Sequence, residues 1–336
     1  MTGRFDLTRR LPDGYFTDAL HTDVLKGLTG RPKTLPPKWF YDARGSELFE
    51  EITQLPEYYP TRAEHAILTE RCDEIAAATG ARTLVELGSG SSRKTRLLLD
   101  SLLRHGTLEA YAALDVSADA LREAGEQLCR DYPGLRVTGC VTDLETDLGI
   151  PETAPGPRLV AFLGGTLGNL GGEARPAFYA ALRAGLRPGD ALLLGADLVK
   201  DPGVLVPAYD DAQGVTAEFN KNVLRVLNRE LGARFDPAAF RHVAVWNERE
   251  ERIEMRLRSL RAQAVELPAL EMTAEFEEGE EILTEIAVKF RRGALTDELA
   301  RGGFVLSHWW TDEEGRFALM LAEPSPARPG PGPLSR

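Results

Sequence analysis

Cysteine is scarce. The three residues, Cys72, Cys129 and Cys140, lie far apart with no Cys-x-x-Cys pair, which excludes a disulfide-stapled scaffold and a paired-thiolate metal site. Histidine is scarce too: His21, His65, His105, His242 and His308 include no two at metal-ligand spacing, so no metal is expected. No apolar run approaches the roughly twenty residues of a membrane span. No amino-terminal apolar stretch follows a basic segment as in a signal peptide, so the expected setting is the reducing cytoplasm, with free thiols and no membrane partner. Basic charge is in deficit, with 40 Lys and Arg against 52 Asp and Glu and a net charge of −12. That balance speaks against a sequence-independent nucleic-acid surface, because phosphate binding is carried by Lys and Arg. A small-molecule ligand is expected instead.

What is present is enough apolar sequence for a real core, 43% hydrophobic over 336 residues, in one large domain or two ordinary ones. The chain is organised around Leu84-Val85-Glu86-Leu87-Gly88-Ser89-Gly90-Ser91-Ser92-Arg93-Lys94. A short apolar run reaches an acid, then glycines that let the backbone turn and approach a ligand, then a helical pattern. The spacing is not the full G-x-G-x-x-G fingerprint, and it lacks the P-loop ending, so neither NAD nor ATP is the first choice. An acid just before the first glycine suits S-adenosylmethionine (SAM), which makes Glu86, Gly88 and Gly90 candidate contacts; a plain tight turn is the alternative. A second apolar run, 110–114, ends at Asp115, near where a ribose-binding acid falls in doubly wound folds. A third, 135–141, ends just before Asp143. Polar groups at successive strand ends share the carboxyl edge of a parallel sheet, where such folds bind ligands.

Strands and helices alternate from about residue 61 to 198, with helices expected over 61–79, 95–104, 118–130 and 175–186 and further strands over 158–163 and 191–198. Before this span, residues 1–35 read as an arm ordered only by packing on something else. An aromatic-rich stretch from Trp39 to Tyr59 follows, suited either to core or to a small-molecule lid. After Asp197 come a helix over 217–234 and an antiparallel insertion of strands 243–246 and 253–258. A strand over 282–290 is expected to put Ile282, Thr284 and Ile286 on its core face. Glu285 then points away, to solvent or to a cleft. A short helix over 295–301 and a closing hairpin complete the pattern.

Pro37-Lys38-Trp39-Phe40-Tyr41-Asp42, Leu55-Pro56-Glu57-Tyr58-Tyr59-Pro60-Thr61-Arg62, Glu86-Leu87-Gly88-Ser89-Gly90, Phe162-Leu163-Gly164 with Gly168-Asn169, and Ile253-Glu254-Met255-Arg256-Leu257 together resemble the bacterial histidine-specific Nα-methyltransferases of ergothioneine biosynthesis, over about residues 35–323. The resemblance implies conversion of L-histidine to its trimethylated betaine, hercynine, with three SAM molecules. It implies an α/β fold: a class I SAM-dependent methyltransferase domain with a Rossmann-like doubly wound sheet (61–198 plus 287–323) and a second α+β substrate-binding domain (10–60 plus 199–286). Residues 324–336 are expected to be a disordered tail.

Position by position, the resemblance puts SAM against Gly88, Lys94, Asp115 and Asp143, with Tyr41 near the methyl-transfer chamber. It implies that Asn169 and Tyr209 hold the amino and carboxylate groups of the substrate and that Gly164 borders them. Tyr58 and Glu285 would lie by the imidazole, and Met255 would shape the ring pocket. One position departs: where the family has a serine two residues beyond the acid, this chain has Ala287. A lost partner on a buried polar group costs about 1–3 kcal/mol, so another aromatic amino acid competes with histidine as substrate. Methyl transfer requires a neutral amine behind the methyl carbon at about 3–3.5 Å. Tyrosine hydroxyls, Tyr41 among them, and the Asn169 amide are expected to orient it while water removes the proton. The rivals are a catalytically inactive SAM-binding regulator, a nucleic-acid or protein methyltransferase, which the acidic balance and the aromatic lid disfavour, and an interaction module built on the insertion hairpin. A monomer is expected, since the insertion itself can cover the cleft.

Overall fold

The computed structural model describes residues 5–90, 92 and 94–326. In chain order the elements are β1 (Asp6–Arg9), α1 (Tyr15–Thr29), β2 (Lys33–Thr34), α2 (Ala43–Thr53), α3 (Tyr59–Thr79), β3 (Thr83–Leu87), α4 (Thr95–His105), β4 (Ala110–Asp115), α5 (Ala118–Asp131), β5 (Arg136–Val141), β6 (Arg158–Phe162), α6 (Arg175–Gly185) and β7 (Ala191–Asp197). Then follow α7 (Pro202–Leu205), α8 (Val215–Leu231), β8 (Phe240–Asn247), β9 (Arg252–Ser259), β10 (Gln263–Leu267), β11 (Met272–Phe276), β12 (Glu281–Val288), α9 (Arg292–Arg301), β13 (Phe304–Thr311) and β14 (Phe317–Pro324).

Every residue of β3, β6 and β7 is buried, as strands covered on both faces must be. They form the centre of an eight-stranded sheet ordered β1-β5-β4-β3-β6-β7-β14-β13. All neighbours from β1 to β7 run parallel, and β14 and β13 close the edge antiparallel. Side chains alternate between two cores. Leu84, Ala191 and Leu193 face α3, α4 and α5, while Val85, Leu87, Leu192 and Leu194 face α6 and α9. This is the doubly wound α/β architecture expected.

A second sheet, ordered β2-β12-β9-β8, shares a third core with α1, α2 and α8, in which Leu20, Val24, Leu48, Phe219, Val223 and Leu257 are buried. From residue 5 the front of the chain is ordered by packing on the rest, as expected, but in regular elements that the sequence reading did not name: β1 extends the large sheet beside β5, and α1 contributes Leu20, Val24 and Leu28 to the third core. The helix after the aromatic stretch begins at Tyr59 because Pro60 is tolerated in a first turn. Pro324 completes β14, and the Ser325 amide donates to Gly303 O at 2.8 Å; the rest of the expected tail, from residue 327, lies outside the described residues.

The most consequential difference is in β12. Its register against β9 shifts between Leu283 and Glu285, a bulge that inserts one residue and reverses the alternation beyond it. Ile282 faces Leu257, and Glu285, rather than Thr284, faces Met255. The core face therefore runs through Ile282, Glu285 and Ala287, not Ile282, Thr284 and Ile286. The displaced Thr284 is satisfied in place, its hydroxyl donating to Met255 O at 2.9 Å.

Candidate active site

The carboxyl ends of β3, β4, β5 and β6 meet at one edge of the large sheet. Gly88, Gly90 and Gly164 all adopt positive φ, at 67°, 48° and 76°, a region L side chains rarely enter. A Cβ on Gly90 would meet nothing within 4 Å, and one on Gly88 only Leu144 at 4.0 Å, so the glycines serve backbone conformation and leave a groove open. Asp115 braces the loop: its Oδ2 accepts from the Gly90 amide and its Oδ1 from Ser117, both at 3.0 Å. Ser89 Oγ is buried without a partner among the described residues.

Glu86 takes a different part from the one its position suggests. Its oxygens accept from Thr95 and, at 2.5 Å, from the Tyr111 hydroxyl, so it anchors the loop from beneath; burial pushes it up to about 7. Lys94 pairs with the fully buried Glu64, whose carboxylate also accepts from the Gly164 amide at 2.8 Å. One side chain from α3 thus ties two ligand-edge loops together. Asp143 is held by the front of the chain, accepting from the Tyr15 hydroxyl at 3.0 Å and from Lys38 at 3.3 Å.

Beside this edge lies a cleft of about 280 Å³, counted to its open mouth. It draws Tyr41 from the turn before α2, Phe49 and Ile52 from α2, and Tyr58 from the start of α3. Tyr209 comes from the loop before α8, Phe219 from α8, Met255 from β9 and Glu285 from β12. The rings interlock edge to face: Tyr41 lies 5.4 Å from Phe219 and 5.7 Å from Phe49, and Tyr58 lies 6.3 Å from Tyr209. Burial raises Tyr41, Tyr58 and Tyr209 well above the ordinary phenol value. Glu285 alone among these supplies a carboxyl. It makes no hydrogen bond or ion pair with the described residues, and burial lifts it to about 7 against the opposing charge of Lys289.

Of the residues expected from sequence, the structure thus brings Tyr41, Tyr58, Tyr209, Met255 and Glu285 onto one cleft. Asn169 and Gly164 are not among the residues that line it; Asn169 ends a 3-10 turn, Thr166–Asn169, whose Gly168 lies so close to β12 that a Cβ would sit 2.7 Å from Val288 O. Ala287 is in the core behind Glu285. Phe49 and Ile52 belong to the aromatic-rich stretch read as core or lid, whereas Phe219 carried no site signal in the sequence beyond helical periodicity. Among the described residues, no group of three His, Cys, Asp or Glu could hold a metal, and no helix is long and apolar enough to cross a membrane.

The family model described as histidine-specific methyltransferase, SAM-dependent, matches residues 20–324. The chain belongs to this family. Within the histidine-specific methyltransferases, it is 56% identical over 306 residues to the histidine N-alpha-methyltransferase of Mycolicibacterium smegmatis, covering 91% of this chain and 95% of that one. It is 54% identical over 305 residues to that of Mycobacterium tuberculosis, covering 90% and 94%. Ergothioneine biosynthesis protein 1 of Neurospora crassa is 36% identical over 206 residues, 60% of this chain and 23% of that protein. The open glycine groove, with a Ser89 hydroxyl that no described residue satisfies, fits the methyl donor of this family, SAM.

Proposed function

We infer that this chain transfers methyl groups from SAM to the α-amino group of L-histidine, three in succession, giving hercynine for ergothioneine biosynthesis. The observation that carries this reading is Glu285, a carboxyl without a partner among the described residues, on a cleft lined mostly by aromatic and apolar side chains. Bound along Gly88, Gly90, Lys94, Asp115 and Asp143, SAM supplies an electrophilic methyl carbon. The rest is positioning by the chain's own side chains. Tyr41, Tyr58 and Tyr209 keep their protons through the physiological range, so they orient the substrate and do not deprotonate it. The Asn169 amide, which has no hydrogen-bond partner among the described residues, holds the nitrogen with Gly164 nearby, and water carries the proton away. Glu285 accepts the imidazole N–H, a contact that an indole or phenol matches less well, and Met255 walls the ring.

In this reading residues 10–60 and 199–286 form the substrate-binding part and 61–198 with 287–323 the SAM-binding part, the strand β12 crossing between them. The enzyme works as a cytoplasmic monomer on a free amino acid, without metal, nucleic acid or membrane. Ala287 supports a second reading, Nα-methylation of another aromatic amino acid, because a buried methyl group lies where a second polar contact to the ring would help select histidine. Incubation with SAM and each of the twenty amino acids, read by mass, tests both. A gain of three methyl groups on histidine is expected; methylation of a different amino acid in preference would favour the second reading, and none at all would favour an inactive SAM-binding regulator.

A further inference from the structure

Beyond β12 the chain passes from the small sheet to the large one. The Phe290 amide donates to Asp197 O at 2.8 Å, and the Lys289 amide to Glu251 O at 2.7 Å, which fixes Lys289 at the junction with only 3% of its surface exposed. Its ammonium donates to the Tyr209 hydroxyl at 2.7 Å, lies 3.0 Å from Asp197 Oδ2, and sits over the Tyr209 ring at 4.6 Å. Asp197 is already paired with Lys200 at 2.6 Å and accepts from the Tyr59 hydroxyl at 2.7 Å. Two ammonium groups therefore serve one carboxylate, and together they hold it below its ordinary value despite its burial.

The second ammonium has a consequence at Tyr209. An ammonium has three donors and no acceptor, so the phenol oxygen must accept from Lys289 and its single proton must point elsewhere. No acceptor for that proton exists among the described residues, and Tyr209 lines the cleft.

We propose that Lys289 is a positioning residue that makes Tyr209 an obligate donor into the cleft, committed to the α-carboxylate of the amino-acid substrate. This rests on the histidine reading above and deepens it. With a partner at position 289 that can accept, or with none, the phenol is free to turn its proton away and present a lone pair to the carboxylate.

The test compares binding of L-histidine and L-histidinamide, which lacks the anionic group, by calorimetry with S-adenosylhomocysteine present. The unmodified enzyme should prefer the carboxylate by about tenfold or more, the scale of one hydrogen bond to a charged group. Lys289→Met and Lys289→Gln should each bring the ratio near one while leaving histidinamide and donor affinity unchanged. Lys289→Arg, still donor-only, should keep the preference. Tyr209→Phe should abolish it, and Lys289→Met should add nothing on that background. A ratio unchanged in Lys289→Met, or additive losses in the double variant, overturns the proposal. Should the Lys289 variants not fold, Tyr209→Phe decides it: a carboxylate preference that survives loss of the phenol hydroxyl refutes the proposal. Failure of the histidine reading is distinct, since it shows as no methylation of histidine by the unmodified enzyme.

Discussion

Replacing Glu285 with glutamine should weaken the enzyme's hold on histidine and, at the same time, stabilise the free protein. The carboxyl titrates at about 7 in the fold because burial disfavours its charge and no described residue bonds to it; in an unfolded chain it titrates at about 4.3. The native state thus holds the proton more tightly. The stability that this confers is complete below the unfolded value and is lost as pH rises through about 7. Taken whole, the difference amounts to about 4 kcal/mol at alkaline pH; since the carboxyl faces an open cleft, solvent screening reduces it to about 1–2 kcal/mol. Glutamine carries no charge to bury. Glu285→Gln should therefore melt about 2–6 °C higher than the parent at pH 8, with the gap closing by pH 5. The same change removes a charged acceptor from the imidazole, worth about 1.5–3 kcal/mol, so the histidine KM should rise about 10- to 150-fold with SAM affinity unchanged; Glu285→Ala should sit at the upper end. Thermal melts at the two pH values and calorimetry with each ligand measure all of this. A variant less stable than the parent at pH 8, or one that loses SAM and histidine equally, would refute the reasoning.

Glu64→Ala leaves the Lys94 ammonium and the Gly164 amide without their shared partner; melts should show a loss of about 2–4 kcal/mol and titration a SAM affinity at least several-fold weaker, whereas Glu109→Ala at the exposed Arg82 pair should change stability by less than about 1 kcal/mol. Gly168→Ala drives a methyl group against Val288 O, so a stability loss of about 1–3 kcal/mol should accompany a raised KM for the amino acid, because the turn carrying Asn169 must back away from β12. Ala287→Ser adds a hydroxyl behind Glu285, and a net hydrogen bond of about 0.5–1.5 kcal/mol should lower the histidine KM about 2- to 10-fold in steady-state assays, with no such gain for phenylalanine.

The large sheet was legible because strands buried on both faces have no polar side to obscure them. Thr83–Leu87 and Ala191–Asp197 are buried throughout, and the polar residues expected at the strand ends do line its carboxyl edge. The front of the chain was illegible for the opposite reason. β1 is a four-residue edge strand, largely exposed, and α1 starts behind Gly14 with no side-chain cap, so neither offered a pattern or a start signal. Other signals were there to be read. Asp42 caps α2 by accepting from the Gly45 amide at 2.8 Å, and Val265, Leu267, Ala274 and Phe276 alternate inward along the hairpin of β10 and β11.

The bulge at Thr284 belongs to a third kind. Counting by twos along β12 turns Glu285 away from the core, and in a regular strand Thr284 would stand opposite Met255. One extra residue exchanges them. It sets an acid among aromatic rings, a position that ordinary patterning avoids because an unpartnered buried carboxyl costs stability. The irregularity that misleads the sequence reading is therefore the same one that places the carboxyl on the cleft. Local rules fail at this position because the bulge leaves a buried carboxyl that no described residue satisfies.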